Sequence, residues 1–219
     1  MFETLTARDG HRLACWMQPA EGPARGGLVI LQEIFGVTDQ LKGVAARYAA
    51  QGLNVAIPAL FDRQDRDAVI AYDHATKGRD LMVTARLADA MADTLAAVDA
   101  LRAKGGKVAV MGFCWGGGLA LRAALELDIA CAVSFYGTRL TDYLGPVQKA
   151  PVMGHFGVHD DHTPPGMLEA VRAALPDLQM FLYDAGHAFA NEARPAHVPA
   201  AADLAHQRTA AFLAQHLGK

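Results

Sequence analysis

The chain has 219 residues, of which 52% are hydrophobic and 20% are charged, with 21 glycines and 10 prolines. This composition excludes disorder and collagen-like repetition, and it predicts a single domain spanning 1–219 with a sizeable core. Twenty Lys and Arg residues against 23 Asp and Glu residues give a formal net charge of −3. No overall positive field therefore exists to attract nucleic acid or an anionic membrane surface.

The cysteine count and the apolar runs bear on the cellular compartment of the protein. Cys15, Cys114 and Cys131 cannot all pair within the chain, and the first residues show neither a basic segment nor a continuous apolar segment of the secretory type. Apolar runs stay well short of the about 20 residues that a membrane helix needs. We expect a cytoplasmic monomer that contacts neither membrane nor nucleic acid and acts on a small molecule.

Short apolar runs alternate with longer helical segments along the chain. Predicted strands cover residues 13–17, 28–32, 54–58, 108–112, 130–136, 152–156 and 179–183. Predicted helices cover residues 40–51, 80–104, 116–126, 166–175 and 200–217. Most strands after the first are apolar throughout, as in strands covered on both faces. The alternation predicts an α/β fold, with a mainly parallel sheet flanked by helices on both faces.

The second predicted strand runs into Gln32-Glu33-Ile34-Phe35-Gly36 and so ends on a glutamate. A carboxylate at the end of a buried strand has two interpretations. Glu33 either forms an ordinary salt bridge at the strand end or acts on a reactive group nearby. The sequence around Glu33 leaves both open.

The fourth predicted strand leads into Gly112-Phe113-Cys114-Trp115-Gly116-Gly117, just before a helix. This pattern is typical of a nucleophile elbow, in which a sharp turn strains the central residue and small neighbours avoid a collision across it. Cys114 would then stand near a helix N-terminus, where backbone amides favour a thiolate. A glycine-rich turn with a purely structural role is the alternative, so a companion base is needed.

The acid and the base of such a site are expected after later strands, the acid first. Asp160 follows the sixth predicted strand and His187 follows the seventh. His187 would take the thiol proton and Asp160 would hold its imidazole, with Asp161 as a competing acid. The N–H groups of Ile34 and Trp115 would form the oxyanion hole.

Other histidines and cysteines have simpler interpretations. His155, His159 and His162 lie close together in sequence, but they lack the helical i, i+4 spacing of a zinc site, so we expect no metal. Cys15 and Cys131 are predicted to be small buried residues. The remaining histidines are predicted to lie at the surface: His11, His74, His197, His206 and His216.

Four segments together resemble the dienelactone hydrolase family over nearly the whole chain. They are Gln32-Glu33-Ile34-Phe35-Gly36, Gly112-Phe113-Cys114-Trp115-Gly116-Gly117, Gly157-x-x-Asp160 with Pro164 four residues on, and Gly186-His187-x-Phe189. The resemblance implies an α/β-hydrolase fold whose Cys114, His187 and Asp160 triad opens an enol-lactone by acylation and deacylation, without a cofactor. It also implies that Glu33 interacts with the resting thiol and helps to deprotonate it when substrate binds.

The chain departs from this family where a substrate carboxylate would bind. Family members carry an arginine four residues beyond the catalytic histidine and a serine directly after it, whereas this chain has Asn191 and Ala188. Candidate substrate-binding residues are Arg194, Arg79 and Phe35. Three further arginines match the family's second arginine as well as Arg79 does: Arg63, Arg66 and Arg86.

These observations predict a hydrolase that cleaves an enol-lactone or a related carboxylic ester. A general carboxylesterase or thioesterase with the same triad is the first alternative. The second is a protein of another class, either a non-catalytic binder or a thiol redox protein that uses Cys114. Since the sequence has no C-x-x-C pair, the redox alternative would need Cys15 or Cys131 as a partner.

Overall fold

A computed structural model describes residues 1–145 and 147–218. Its eight strands are β1 (Phe2–Thr6), β2 (Arg12–Gln18), β3 (Gly26–Leu31), β4 (Leu53–Pro58), β5 (Val108–Phe113), β6 (Ala132–Phe135), β7 (Val152–Gly157) and β8 (Gln179–Tyr183). Its α-helices are α1 (Asp39–Ala49), α2 (Ala75–Thr84), α3 (Leu87–Arg102), α4 (Trp115–Glu126), α5 (Pro165–Ala174) and α6 (Pro199–Leu217). Among the described residues, no helix is both long and apolar enough to cross a membrane.

The strands form one sheet in the order β1-β2-β4-β3-β5-β6-β7-β8. Strands β1 and β2 are antiparallel to their neighbours, and all pairs from β4 to β8 are parallel. Every residue of β3, β5, β6 and β7 is buried, because helices cover the sheet on both faces. The predicted α/β-hydrolase fold, a mainly parallel sheet between helical layers, is confirmed.

One strand was missed and one predicted helix was wrong. Strand β1 was not predicted, because it is an exposed edge strand with almost no buried side chain to mark it. The helix predicted over 80–104 is two helices, since the backbone is extended at Ala85 (φ −68°, ψ 129°) and Arg86 (φ −80°, ψ 131°). No glycine or proline marks this break. The Gln64 side chain instead donates to the Leu81 carbonyl oxygen and to Thr84 Oγ1.

Because of this break, α2 is a separate helix from α3 and packs against the segment that follows β3. Gly78 in α2 packs so closely on this region that a Cβ atom at that position would collide with the Ile34 carbonyl oxygen. Because the two backbones touch here, α2 and the segment after β3 form one wall. The next residue, Arg79, therefore lies beside the residues that follow β3.

A buried polar cluster joins the sheet to α6. His155 in β7 pairs with Tyr183 Oη (2.8 Å) and Thr209 Oγ1 (2.9 Å), and the His206 Nδ1 atom lies 2.9 Å from Tyr48 Oη. The prediction that His206 lies at the surface was wrong, because α6 turns this residue towards the sheet, where it is 7% exposed. Burial lowers the pKa of both His155 and His206 to about 3.

These two histidines are expected to make the protein less stable in mild acid. Their pKa is about 3 when folded and about 6.5 when unfolded. The unfolded chain therefore binds more protons between these pH values, and stability falls as pH drops from about 6.5 towards 3. Each histidine should cost up to about 2 kcal/mol of unfolding free energy at pH 5. Urea unfolding at pH 7.5 and pH 5 measures the loss.

His206→Gln is the matched variant for this measurement, because it keeps an acceptor for the Tyr48 hydroxyl group but does not titrate. We expect its unfolding free energy to fall by less than that of the wild type over the same pH interval. Equal losses in both proteins would contradict the assignment to His206.

Candidate active site

The parallel strands bring the predicted site residues to one edge of the sheet. Glu33 follows β3, Cys114 follows β5, Asp160 follows β7 and His187 follows β8. All four strands run in the same direction, so their carboxyl ends meet at this edge. Open parallel sheets place their ligand sites at this edge.

Cys114 occupies a strained turn between β5 and α4. Its φ of 53° and ψ of −118° are unusual for a residue with a side chain. A Cβ atom at Gly112 would collide with the Gly116 carbonyl oxygen, and one at Gly116 would collide with that of Leu31. Glycine is therefore required at both flanking positions, and the local structure is that of a nucleophile elbow.

His187 and Asp160 are directly paired. The His187 Nδ1 atom lies 2.8 Å from Asp160 Oδ2, and Asp160 Oδ1 accepts a hydrogen bond from the His162 N–H at 2.8 Å. Burial opposes a charge on Asp160, but its bonds to His187 and the His162 N–H hold its pKa below the ordinary value. Asp161, the competing acid, is exposed to solvent.

The imidazole of His187 also interacts with Cys114. Burial disfavours the charged imidazole, yet the hydrogen bond to Asp160 and the neighbouring Cys114 raise the pKa of His187 to about 10. Such an environment favours the protonated imidazolium form of His187. His187 is thus paired with Asp160 and lines the same cavity as Cys114.

Glu33 is buried beside this group. The Tyr136 hydroxyl donates to its Oε1 (3.0 Å) and the Asn191 side-chain amide donates to its Oε2 (2.9 Å). Burial raises the pKa of Glu33, and the charge of His187 and these two donors offset this only in part. Glu33 is 6% exposed and forms no ion pair with any residue that the structure describes, so it is not a surface salt bridge.

The two predicted oxyanion-hole amides lie on either side of the elbow. Ile34 follows Glu33 in the segment after β3, and Trp115 is the first residue of α4. The Gly116 N–H donates to the Gln32 carbonyl oxygen at 3.0 Å, which joins these two segments. Within 1–145 and 147–218, neither the Ile34 N–H nor the Trp115 N–H donates to a protein atom.

A cavity of about 360 Å³ opens over Cys114 and His187. Its apolar lining residues are mainly Ile34, Phe35, Met82 and Met167. Three arginines also line the cavity, namely Arg79, Arg139 and Arg194. The size and the mixed lining suit a small molecule that carries an apolar body and an anionic group.

The four arginines that could match the second family arginine differ in whether they line this cavity. Arg63 pairs with Asp93 and Asp9, each at 2.7 Å, and lies outside this cavity. Arg86 also lies outside it, and Arg66 reaches the Arg12 carbonyl oxygen instead. Of the four candidates for the second family arginine, Arg79 is the one that lines the cavity.

Arg194 is held by two aromatic rings. Its guanidinium lies 5.3 Å from the centre of the Phe35 ring and 5.8 Å from that of Tyr72. Cation–π contacts of this kind fix the guanidinium without neutralising its charge. Arg194 therefore stays available to an anion in the cavity.

Several residues of the site were not predicted. Tyr136, Tyr72 and Arg139 were missed, and Asn191 was noted only as a departure from the family. In the sequence Tyr136 is the last residue of the predicted strand 130–136, at the same edge as the other site residues. In the structure it directly follows β6 and has a positive φ of 37°. His162, whose ring centre lies 4.4 Å from that of His187, also lines the cavity.

The neighbouring histidines have separate partners. His155 binds Tyr183 and Thr209, His159 lies 2.7 Å from Asp184, and His162 packs on His187. In the part of the chain that the structure describes, no three His, Cys, Asp or Glu side chains are grouped as metal ligands.

Comparisons with known proteins agree on one family. The sequence profile of the dienelactone hydrolase family matches residues 14–217. A carboxymethylenebutenolidase of Pseudomonas sp. strain P51 is 32% identical, over 96% of this chain and 93% of its own. That of Pseudomonas putida is 31% identical over 96% and 94%. A solved structure from Klebsiella pneumoniae, described as a candidate dienelactone hydrolase, is 25% identical, with a TM-score of 0.82 over 98% of both chains.

Proposed function

Because the chain belongs to the dienelactone hydrolase family, we propose that it opens an enol-lactone, or cleaves a related carboxylic ester, through a covalent acyl-cysteine. The chain is a hydrolase of ester or lactone bonds that acts on a small molecule. The observation that carries the finer proposal is a cavity lined by Cys114, at a strained elbow, and by His187, which is paired with Asp160.

In the acylation step the Cys114 thiolate attacks the carbonyl carbon of the substrate. The new C–S bond gives a tetrahedral oxyanion, which the N–H groups of Ile34 and Trp115 stabilise. When the oxyanion collapses, the carbon–oxygen bond to the enol or alcohol breaks and the leaving oxygen takes the proton from His187. A lactone gives one ring-opened acyl-enzyme, since its leaving group stays attached to the acyl chain.

Deacylation uses the same groups in reverse. His187, now neutral, takes a proton from water as the water attacks the thioester carbonyl carbon. The C–S bond breaks, the carboxylic acid leaves, and the imidazolium and thiolate are restored. Asp160 keeps the imidazole in one tautomer and stabilises its charged form in both steps.

The arginines of the cavity point to an anionic substrate. Arg194 lies on the loop after β8, over the Phe35 ring, and Arg79 lies on α2; both line the cavity. A carboxylate on the substrate would bind these guanidinium groups, while the apolar residues hold its ring or chain. We propose a carboxylate-bearing lactone or ester as the substrate class.

The thiol redox alternative has little support from the other cysteines. Cys15 and Cys131 are completely buried, and burial raises the pKa of the Cys131 thiol to about 12. All three cysteines are free. Membership of a hydrolase family likewise favours turnover over simple binding.

A turnover screen tests the proposed function. Purified protein is assayed against unsaturated lactones with and without a free carboxylate, simple esters and thioesters. We expect the carboxylate-bearing lactones to give the highest kcat/KM. Higher kcat/KM for simple esters or thioesters would move the assignment to a general esterase, and absence of turnover with every compound would refute hydrolysis of these substrates.

Glu33→Gln is expected to lower kcat/KM by about tenfold or more. The variant keeps the size of the side chain but removes the charge that acts on His187. Steady-state kinetics with the best substrate of the screen measure the effect, and the melting temperature serves as the control. Unchanged kinetics with a lower melting temperature would show that Glu33 has only a structural role.

A further inference from the structure

Asn191 makes an unusual contact with the carboxylate of Glu33. It lies four residues after His187, it is 1% exposed, and its Nδ2 donates to Glu33 Oε2 at 2.9 Å. The Tyr136 hydroxyl donates to the other oxygen at 3.0 Å. Each carboxylate oxygen thus has one neutral donor, and no described cation bonds directly to Glu33.

The orientation of the Asn191 amide is fixed by a second contact. Its Oδ1 atom accepts the Ala193 N–H at 3.0 Å. If the amide were reversed, its oxygen would face the Glu33 carboxylate and its NH₂ group would face another N–H. The side chain therefore presents its donor to Glu33 and its acceptor to the loop.

Asn191 also joins separate parts of the site through hydrogen bonds. Its backbone N–H donates to the Ala188 carbonyl oxygen, and its own carbonyl oxygen accepts the Arg194 N–H, both at 3.0 Å. Ala188 directly follows His187 and has a positive φ of 63°. One buried side chain thus ties the loop that carries His187 and Arg194 to the glutamate after β3.

We propose that Asn191 is a positioning residue that holds Glu33 as a buried carboxylate, without a directly bonded cation, beside the Cys114 and His187 pair. A neutral donor orients the carboxylate, whereas a cation at this position would neutralise it. The carboxylate of Glu33 then stays oriented towards the reacting groups without being tied up in an ion pair. The inference rests on the proposed function, because it assigns Asn191 to the activation of the same nucleophile.

The charges around Glu33 agree with this assignment. The groups that act on it are His187 and Arg194 from the loop after β8 and Tyr136 from the end of β6, and burial is the dominant influence. Without the Asn191 donor the carboxylate would gain a proton more readily. A protonated Glu33 can neither accept a proton nor stabilise the His187 imidazolium, so the thiol of Cys114 would react more slowly.

Alkylation of Cys114 by iodoacetamide tests this proposal without any substrate. The rate constant is measured across pH 5 to 9 by mass spectrometry on the full-length protein. Asn191→Asp keeps the acceptor for the Ala193 N–H but loses the donor to Glu33. The carboxylate introduced at position 191 then shares a proton with the carboxylate of Glu33. Asn191→Leu removes every hydrogen bond of this side chain, including the weaker one from Nδ2 to the Tyr72 hydroxyl at 3.4 Å. We expect each variant to alkylate about tenfold more slowly at pH 7.

The double variant with Glu33→Gln separates positioning from a general structural effect. In the Glu33→Gln background, Asn191→Asp should change the alkylation rate by less than about twofold, because its route of action is already lost. Wild-type alkylation and pH dependence in Asn191→Asp would overturn the proposal. So would multiplicative losses in the double variant. If Asn191→Leu fails to fold, the alkylation rate of Asn191→Asp alone tests the proposal. Because alkylation needs no substrate, failure of the wild type in the substrate screen would refute the proposed function without changing the alkylation result.

Discussion

Replacing Cys114 or His187 by alanine is expected to lower kcat by about 10⁴-fold or more for any accepted substrate. Cys114 supplies the electron pair for the new C–S bond, and His187 moves the protons of both steps. Because the two side chains act as one unit, the double variant should be hardly slower than either single variant. Active-site titration and steady-state kinetics on the same preparations measure the loss.

Cys131→Ala is the matched control for this pair. Cys131 is a buried, free cysteine that lines no part of the cavity over Cys114. We expect its kcat to stay within about twofold of the wild type, since truncating a buried thiol affects stability first. Substantial turnover by Cys114→Ala would contradict covalent catalysis.

Arg194→Ala is expected to erase the preference for an anionic substrate. In the wild type the free-acid form of a lactone should exceed its neutral methyl ester in kcat/KM by about tenfold, because a guanidinium and a carboxylate form a charge-assisted pair. Arg194 is half-buried, so solvent keeps the effect at the lower end of the range for such pairs. The comparison belongs at low ionic strength, where attraction between charges is least screened.

Arg86→Ala removes the same charge outside the cavity and serves as the control. The acid-to-ester ratio of this variant should match that of the wild type. Equal kcat/KM for acid and ester in the wild type itself would defeat the prediction. The protein would then be described better as a broad esterase.

Local sequence patterns were sufficient for much of the fold. Apolar strands such as β3 and β5 are buried on both faces, and this burial leaves a continuous run of apolar residues that the sequence displays. The strained turn at Cys114 needs glycines at fixed positions, so it too is readable. Strand β1 and the break at Ala85 lack such marks, because an exposed edge and a tertiary contact determine them.

From the sequence, each residue of the candidate site could be predicted only from its own strand and the loop that follows it. Cys114, Asp160 and His187 each follow a strand, and the order of strands implies a common edge. The partners of Glu33 come from β6 and from the loop after β8, more than 100 residues away in sequence for both Tyr136 and Asn191. Such pairings depend on the folded geometry, which explains why Asn191 was noted only as a missing arginine.

The most direct test of the central claim is to trap the acyl-enzyme. The protein is mixed with a slowly hydrolysed ester, quenched in acid within a turnover and digested for mass spectrometry. We predict a mass increase equal to the acyl group on the peptide that contains Cys114, and no such increase in Cys114→Ala. Turnover without any acyl adduct on Cys114 at any time point, together with activity in Cys114→Ala, would contradict the proposed mechanism.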